Sequence, residues 1–323
     1  MQLKTLPEDF IVEEILNLNL EKERQDYSIA RLTKKGWDHF KLIQKISKIL
    51  NLKPKFIGYA GIKDKQAITT QYISFYKVSK EKINKIKIQD FSLEFLGYSK
   101  ERINLGDLKG NNFKIIVRNL TKKVDIPKDI QIENYFDDQR FGKLNNTHLI
   151  GKSIIKKDFK ETCKLLDLDV NKDYINEIQK QPKKLLKFYI SAYQSYLWNE
   201  TLKSIISKKE FTKKDYSIGE LYFSNIKLKN FKLPLVSFDT KKQRELDRIL
   251  EKEKITRSDF ITRQFPDLVS ESKERDALVN VKEIRSKYSE EDINKFKLEL
   301  EFYLPKGSYA TILIKKLSIL IYN

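Results

Sequence analysis

Asp64 stands between two lysines in the stretch Gly61-Ile62-Lys63-Asp64-Lys65-Gln66-Ala67-Ile68-Thr69-Thr70-Gln71. Adjacent cations favour an ionised carboxylate. Such a group suits a nucleophile or an electrostatic stabiliser better than a general acid. Gly58 and Gly61 beside it would let backbone or substrate approach closely. A Lys-Asp-Lys run is also what a solvated turn looks like, and spacing alone does not separate the two. A second concentration of polar and aromatic groups is Asn134-Tyr135-Phe136-Asp137-Asp138-Gln139-Arg140-Phe141-Gly142. Rings can stack on bases and amides can read the edge of an extruded base. Two phenylalanines beside a loop would equally serve a core. The third stretch, Pro305-Lys306-Gly307-Ser308-Tyr309-Ala310-Thr311, offers either a helix N-terminus to an anion or an ordinary strand-to-helix turn.

Several chemistries are excluded by what the chain does not carry. One cysteine leaves no disulfide framework and no paired-cysteine zinc site. The two histidines, His39 and His148, form no helical metal-ligand pair. Gly151-Lys152-Ser153 lacks the upstream glycine of a phosphate-binding loop, and neither a dinucleotide-binding nor a nucleophile-elbow glycine pattern occurs. Histidine-based metal catalysis and the nucleotide-hydrolase and serine-hydrolase readings therefore fall away. The 64 basic residues exceed the 45 acidic ones by 19, which makes a polyanionic partner the leading class. Of those 64, 53 are lysine, so part of the excess reflects a lysine-coated surface. No apolar run approaches membrane-spanning length, and the N-terminus lacks the apolar core of a signal peptide. A soluble cytoplasmic protein without membrane attachment, acting as a monomer, is expected.

The elements that must position these residues follow from periodicity. Phe10 to Ile15, Tyr27 to Leu32, Phe56 to Ala60, Gln71 to Val78 and Phe113 to Arg118 read as strands. Gly61 to Thr70 is left between two of them, and Lys109-Gly110-Asn111-Asn112 reads as a turn. Trp37, Phe40, Ile43, Ile46, Ile49 and Leu50 follow helical spacing. Beyond about residue 150 the texture becomes lysine-rich and helical, with an aromatic helix over 188–202 and a charged one over 241–255. Strand character returns where Phe296, Leu298, Leu300, Phe302 and Leu304 alternate with polar residues. Ser308 is placed to cap a final helix reaching Leu317. Strand-rich ends around a helical middle suggest one domain inserted into another.

Five signatures in one order then carry a resemblance to the TruD family of tRNA pseudouridine synthases. Lys4 to Glu14 is similar to the family's K-x-x-PEDFxVEE, and Gly61 to Gln71 matches GxKDKxAxTxQ throughout. Leu105 to Phe113 resembles LGxLKGNxF, Asn134 to Gly142 resembles NYFGxQRFG, and Leu304 to Thr311 resembles LPxGSYAT. The resemblance implies isomerisation of a uridine in tRNA, position 13 being favoured, by a catalytic aspartate without metal or cofactor. It implies Asp64 as that aspartate and Lys4 as its basic partner. Phe10, Asn134 and Tyr309 fall where family members contact the base or ribose. Phe136 is a further stacking candidate, and Lys63 is grouped with the substrate-binding residues. One departure is Asp137, where the family pattern has glycine, with Asp138 adding a second negative charge. The implied fold is α+β: a mixed, largely antiparallel pseudouridine-synthase sheet flanked by helices, with an inserted helix-rich TRUD domain. The expected division is 1–150 plus 298–323 for the catalytic domain and 151–297 for the insertion. A catalytically silent tRNA-binding protein or RNA-folding aid is the alternative. A methyltransferase is disfavoured by the lack of a glycine-rich cofactor turn.

Overall fold

The computed structural model describes residues 1–292 and 295–322. Two compact units emerge, Met1–Ile130 with Val281–Gly307, and Gln131–Asn280 with Ser308–Asn323. The change in texture along the sequence falls instead near 151 and 297.

The first unit begins with β1 (Phe10–Ile15), β2 (Tyr27–Lys35), α1 (His39–Ile49), β3 (Ile57–Tyr59), β4 (Ile68–Tyr76), α2 (Lys80–Asn84), β5 (Lys87–Ile88), β6 (Phe91–Ser99) and β7 (Gly110–Leu120). The second unit follows with β8 (Ile130–Glu133), α3 (Thr147–Ile155), α4 (Phe159–Leu165), α5 (Tyr174–Gln179), α6 (Lys183–Ile206), β9 (Phe211–Tyr216), β10 (Gly219–Ser224), β11 (Lys232–Leu235), α7 (Arg244–Glu253), β12 (Lys273–Asp276) and β13 (Leu278–Val281). The chain returns to the first unit as β14 (Arg285–Asp292) and β15 (Lys295–Pro305), then ends in the second as α8 (Ala310–Tyr322).

The sheet of the first unit runs β14-β15-β7-β1-β4-β2-β6-β5, with β3 also paired to β4. Among its described pairs only β1 with β4 is parallel. That makes the sheet mixed and largely antiparallel, as the family resemblance implies. The alternation in β15 buries Leu298, Leu300, Phe302 and Leu304 on one face. Each such side chain contributes roughly 1.5–3 kcal/mol on burial. Ala30, Leu32, Ile73, Phe75 and Phe91 form a second apolar surface, covered by Leu42, Ile43 and Ile46 of α1.

The second unit is organised on α6, whose Leu186, Ile190, Tyr193 and Leu197 pack with Ile150 and Ile154 of α3 and Leu246 and Leu250 of α7. Gly151 is required at the α3–α6 crossing, since a Cβ there would lie 2.1 Å from the Tyr189 carbonyl oxygen. Its resemblance to a phosphate-binding loop is therefore a packing feature.

Several expectations need correction. Gly110, Asn111 and Asn112 are strand, paired with Ile15, Glu14 and Glu13 on one side and Pro305, Leu304 and Tyr303 on the other. Pairing on both sides satisfies their backbone groups, which outweighs the local turn preference of these residues. Ile68, Thr69 and Thr70 likewise join β4 rather than the preceding loop. The middle of the chain is not purely helical, because β9 with β10 and β11 with β12 form two-stranded ladders. Phe40 and Ile49 of α1 are exposed, and the buried face is His39, Leu42, Ile43 and Ile46. Ser308 Oγ finds no hydrogen-bond partner, and α8 runs past Leu317 to Tyr322. No helix among the described residues is long and apolar enough to cross a membrane.

Each unit buries one histidine. Burial, then the Lys34 charge, holds His39 down to about 4. Burial, then Lys152, holds His148 down to about 4 as well. As pH falls through about 6.5 the unfolded chain takes up these protons first. The stabilisation from the neutral rings is thus complete above about 6.5 and lost as pH falls toward 4. At about pH 5 the loss is about 2 kcal/mol per ring. The melting temperature should accordingly drop between about pH 7 and 5. His148 stacks on Tyr196 at 5.1 Å, and His148→Phe should remove roughly half of that drop. An equal drop in the variant and the wild type would assign the acid sensitivity elsewhere.

Candidate active site

The N-terminal arm is fixed from Asp9 outward. This side chain is fully buried, and its carboxylate accepts from the Leu6 N–H at 2.9 Å and from the Arg118 guanidinium at 2.7, 2.9 and 3.0 Å. Burial pushes the Asp9 carboxyl up, but the Arg118 and Leu6 bonds outweigh it and hold the group below the usual carboxylate range. Upstream, Lys4 adopts φ +55°, a left-handed conformation that costs roughly 1 kcal/mol for a side-chain-bearing residue. That turn brings its ammonium to Asp64 Oδ2, to which it donates. The same nitrogen lies 4.2 Å from the centroid of the Phe10 ring. Phe10 is 5% exposed and meets Phe113 edge-on at 6.1 Å.

Asp64 lies in the loop between β3 and β4. Its Oδ1 accepts from the Lys65 N–H at 3.0 Å, and its main-chain carbonyl accepts from Lys34 Nζ at 2.6 Å. The carboxylate is 27% exposed, against 23% for the Lys4 side chain. It is thus held by one ammonium and one N–H while still presenting a face to solvent. Lys63 points elsewhere, with its ammonium bonded to Glu14 in an ion pair 6% and 0% exposed. Glu14 Oε1 also accepts from the Tyr72 N–H at 3.2 Å, which ties the loop to β1 and β4. Gly58 enters this region where a Cβ would sit 2.3 Å from Ser74 Oγ and 2.4 Å from the Ile103 carbonyl. Only glycine fits that approach.

In the second unit Phe136 is the centre of a cation–aromatic cluster. The Arg275 guanidinium lies 4.2 Å from its ring centroid and 5.2 Å from that of Trp198. Arg140 lies 5.6 Å from the same Phe136 ring, and Tyr309 meets it edge-on at 6.2 Å. Asn199 holds the Phe136 backbone at both ends, accepting from its N–H at 2.9 Å and donating to its carbonyl at 2.8 Å. Burial pulls Arg275 down to about 10 and pushes the Tyr309 hydroxyl up. The Asn134 side chain is engaged at both ends, its Oδ1 by Arg275 at 2.8 Å and its Nδ2 by the Asp276 carbonyl at 3.0 Å. Asp137, which departs from the family pattern, and the adjacent Asp138 share one counter-ion, because Lys315 Nζ bonds Asp137 at 2.6 Å and Asp138 at 2.7 Å.

The expected residues therefore form two groups. Lys4, Phe10, Lys63 and Asp64 belong to the first unit, with Lys4, Phe10 and Asp64 in one contact chain. Asn134, Phe136 and Tyr309 belong to the second, linked through Arg275 and Phe136. Sequence reasoning misses Asp9, Arg118, Lys34, Asn199 and Arg275. A usable signal exists for the arginines. With 53 lysines among 64 basic residues, the few arginines are worth inspecting as places where a planar fork or a stacking cation could be needed. Arg118, Arg140 and Arg275 all serve in that way.

The family model described as tRNA pseudouridine synthase D (TruD) matches residues 1–168, 164–231 and 226–317. A Methanococcus maripaludis protein named "Probable tRNA pseudouridine synthase D 1" is 32% identical over 98% of this chain and 99% of its own length. An Aquifex aeolicus protein named tRNA pseudouridine synthase D is 29% identical over 98% of each chain. A crystal structure from Methanosarcina mazei, assigned to tRNA pseudouridine synthase D (TruD), is 28% identical with a TM-score of 0.67. It covers 96% of this chain and 92% of that one.

Proposed function

We propose that this chain, which belongs to the tRNA pseudouridine synthase D (TruD) family, isomerises a uridine of tRNA to pseudouridine with Asp64 as its catalytic carboxylate. Family membership makes it an isomerase with the α+β pseudouridine-synthase fold. The observation that carries the residue assignment is the partly exposed Asp64 carboxylate, held by Lys4 and by the Lys65 N–H.

The reaction breaks the N1–C1′ bond, forms a C5–C1′ bond, removes the proton from C5 and returns one to N1. No electrons are exchanged and no group is added. Asp64 can serve in two ways, by attacking C1′ or by taking the C2′ proton. Both need an oriented carboxylate, and the Lys4 ammonium that bonds it supplies a counter-charge. The uridine must leave its stack at a cost of about a few kcal/mol.

The family resemblance assigns substrate contact to Phe10 in the first unit and to Phe136 and Tyr309 in the second, Phe10 and Phe136 being buried within their own units. Asn134 reads the base edge by exchanging its Arg275 or Asp276 bond. Lys63 contributes through Glu14, by fixing the loop that carries Asp64. The net charge of +19 supplies phosphate contacts. We assign the catalytic role to 1–150 with 298–323, the inserted TRUD domain to 151–297, and the target to uridine 13.

The test is nucleotide-resolution mapping of pseudouridine in bulk tRNA lacking the modification, before and after treatment with the purified protein. New pseudouridine at position 13 is expected. Modification elsewhere would correct the position. Tight tRNA binding without any new pseudouridine would replace the enzyme with a silent RNA-binding protein.

A further inference from the structure

Alternation along β2 places Ala30, Leu32 and Lys34 on the face that α1 covers, so a lysine occupies a core position. Lys34 is 1% exposed, opposite Thr69 of β4 and Phe91 of β6. A buried ammonium is costly unless bonded. Its nitrogen donates to the Trp37 carbonyl at 2.8 Å and to the Asp64 carbonyl at 2.6 Å. Trp37 directly precedes Asp38, the residue that caps α1. One ammonium thus joins the end of β2, the start of α1 and the main chain of Asp64.

We propose that Lys34 is a positioning residue for Asp64, its protonated side chain clamping the loop so that the carboxylate keeps its orientation through turnover. The inference rests on Asp64 as the catalytic carboxylate. The charged and titratable neighbours of Lys34 are Asp64, Asp38, Lys63 and His39. The Asp64 and Asp38 carboxylates favour the ammonium and Lys63 opposes it. His39, 2% exposed, is neutral at working pH. Burial dominates and pulls Lys34 down to about 8. Above that pH the clamp loses its charge and its bonds weaken. A second effect follows from geometry alone. A loop displaced by about 1 Å can cost about a hundredfold in rate without altering phosphate contacts.

The experiment measures single-turnover pseudouridine formation on saturating tRNA across about pH 6.5 to 9.5, with tRNA affinity by filter binding. Wild type should decline as pH rises through about 8. Lys34→Met should be slower by about tenfold or more at neutral pH, bind tRNA within about twofold of wild type, and lack the decline near 8. Lys34→Arg stays charged and should carry no decline at that pH. Wild-type turnover in Lys34→Met, or the same decline in either variant, overturns the proposal. Should Lys34→Met prove insoluble, Lys34→Arg decides alone. Asp64→Asn is run alongside. Activity there defeats the reading of Asp64 itself, whereas an inactive Asp64→Asn beside a wild-type-like Lys34→Met defeats only the role of Lys34.

Discussion

Asp64→Asn should abolish pseudouridine formation, by on the order of a thousandfold or more, while tRNA affinity stays within several-fold of wild type. The amide keeps the shape of the carboxylate and can still accept from the Lys65 N–H. It cannot attack a carbon or take a proton, and it leaves the Lys4 ammonium without its counter-charge. Affinity should survive because phosphate contacts supply most of it. Single-turnover kinetics with a filter-binding control read the two quantities separately. Appreciable turnover by the purified variant would sink the mechanism, provided mass spectrometry finds no deamidation back to aspartate. A loss of affinity as large as the loss of rate would instead make Asp64 a folding or docking residue.

The second large effect lies in stability. Glu14→Ala should destabilise the protein by about 3–5 kcal/mol, because it leaves the buried Lys63 ammonium without its partner. It also removes the acceptor for the Tyr72 N–H. The fully apolar replacement, Glu14→Leu with Lys63→Met, should recover most of that loss, since no charge is then stranded. Chemical denaturation of the two variants checks both statements. A Glu14→Ala protein as stable as wild type would mean that Lys63 escapes to solvent, and would return its ammonium to the set available for RNA phosphates.

The candidate site was legible in the sequence where chemistry sits on consecutive residues. Asp64 between two lysines, the ring-and-amide run from Asn134, and Tyr309 after a Gly-Ser turn are local patterns. So were strands whose alternation is strong, such as β15, and the aromatic run that becomes α6. Elements whose pairing outvotes their composition stayed hidden. Gly110 to Asn112 has turn residues yet lies in the middle of three strands, and the short strands of the second unit's ladders are interleaved with helices.

By itself the sequence determined the family and the α+β class and singled out Asp64 as the candidate reacting group, because these depend on residue identity and on order along the chain. Only the tertiary structure decided what each charge is for. Three lysines near Asp64 are alike in sequence, yet Lys4 bonds its carboxylate, Lys34 bonds its carbonyl from inside the core, and Lys63 turns away to Glu14. The second unit shows the same division, with Asp137 and Asp138 read as added acidity until Lys315, nearly 180 positions away, is seen to bond them both. A side chain's charge is written in its codon, but its partner and its exposure are set by strands and helices far apart in the chain. Electrostatic function depends on those two quantities, because both the strength of a charge pair and the cost of burying it follow from distance and solvent access.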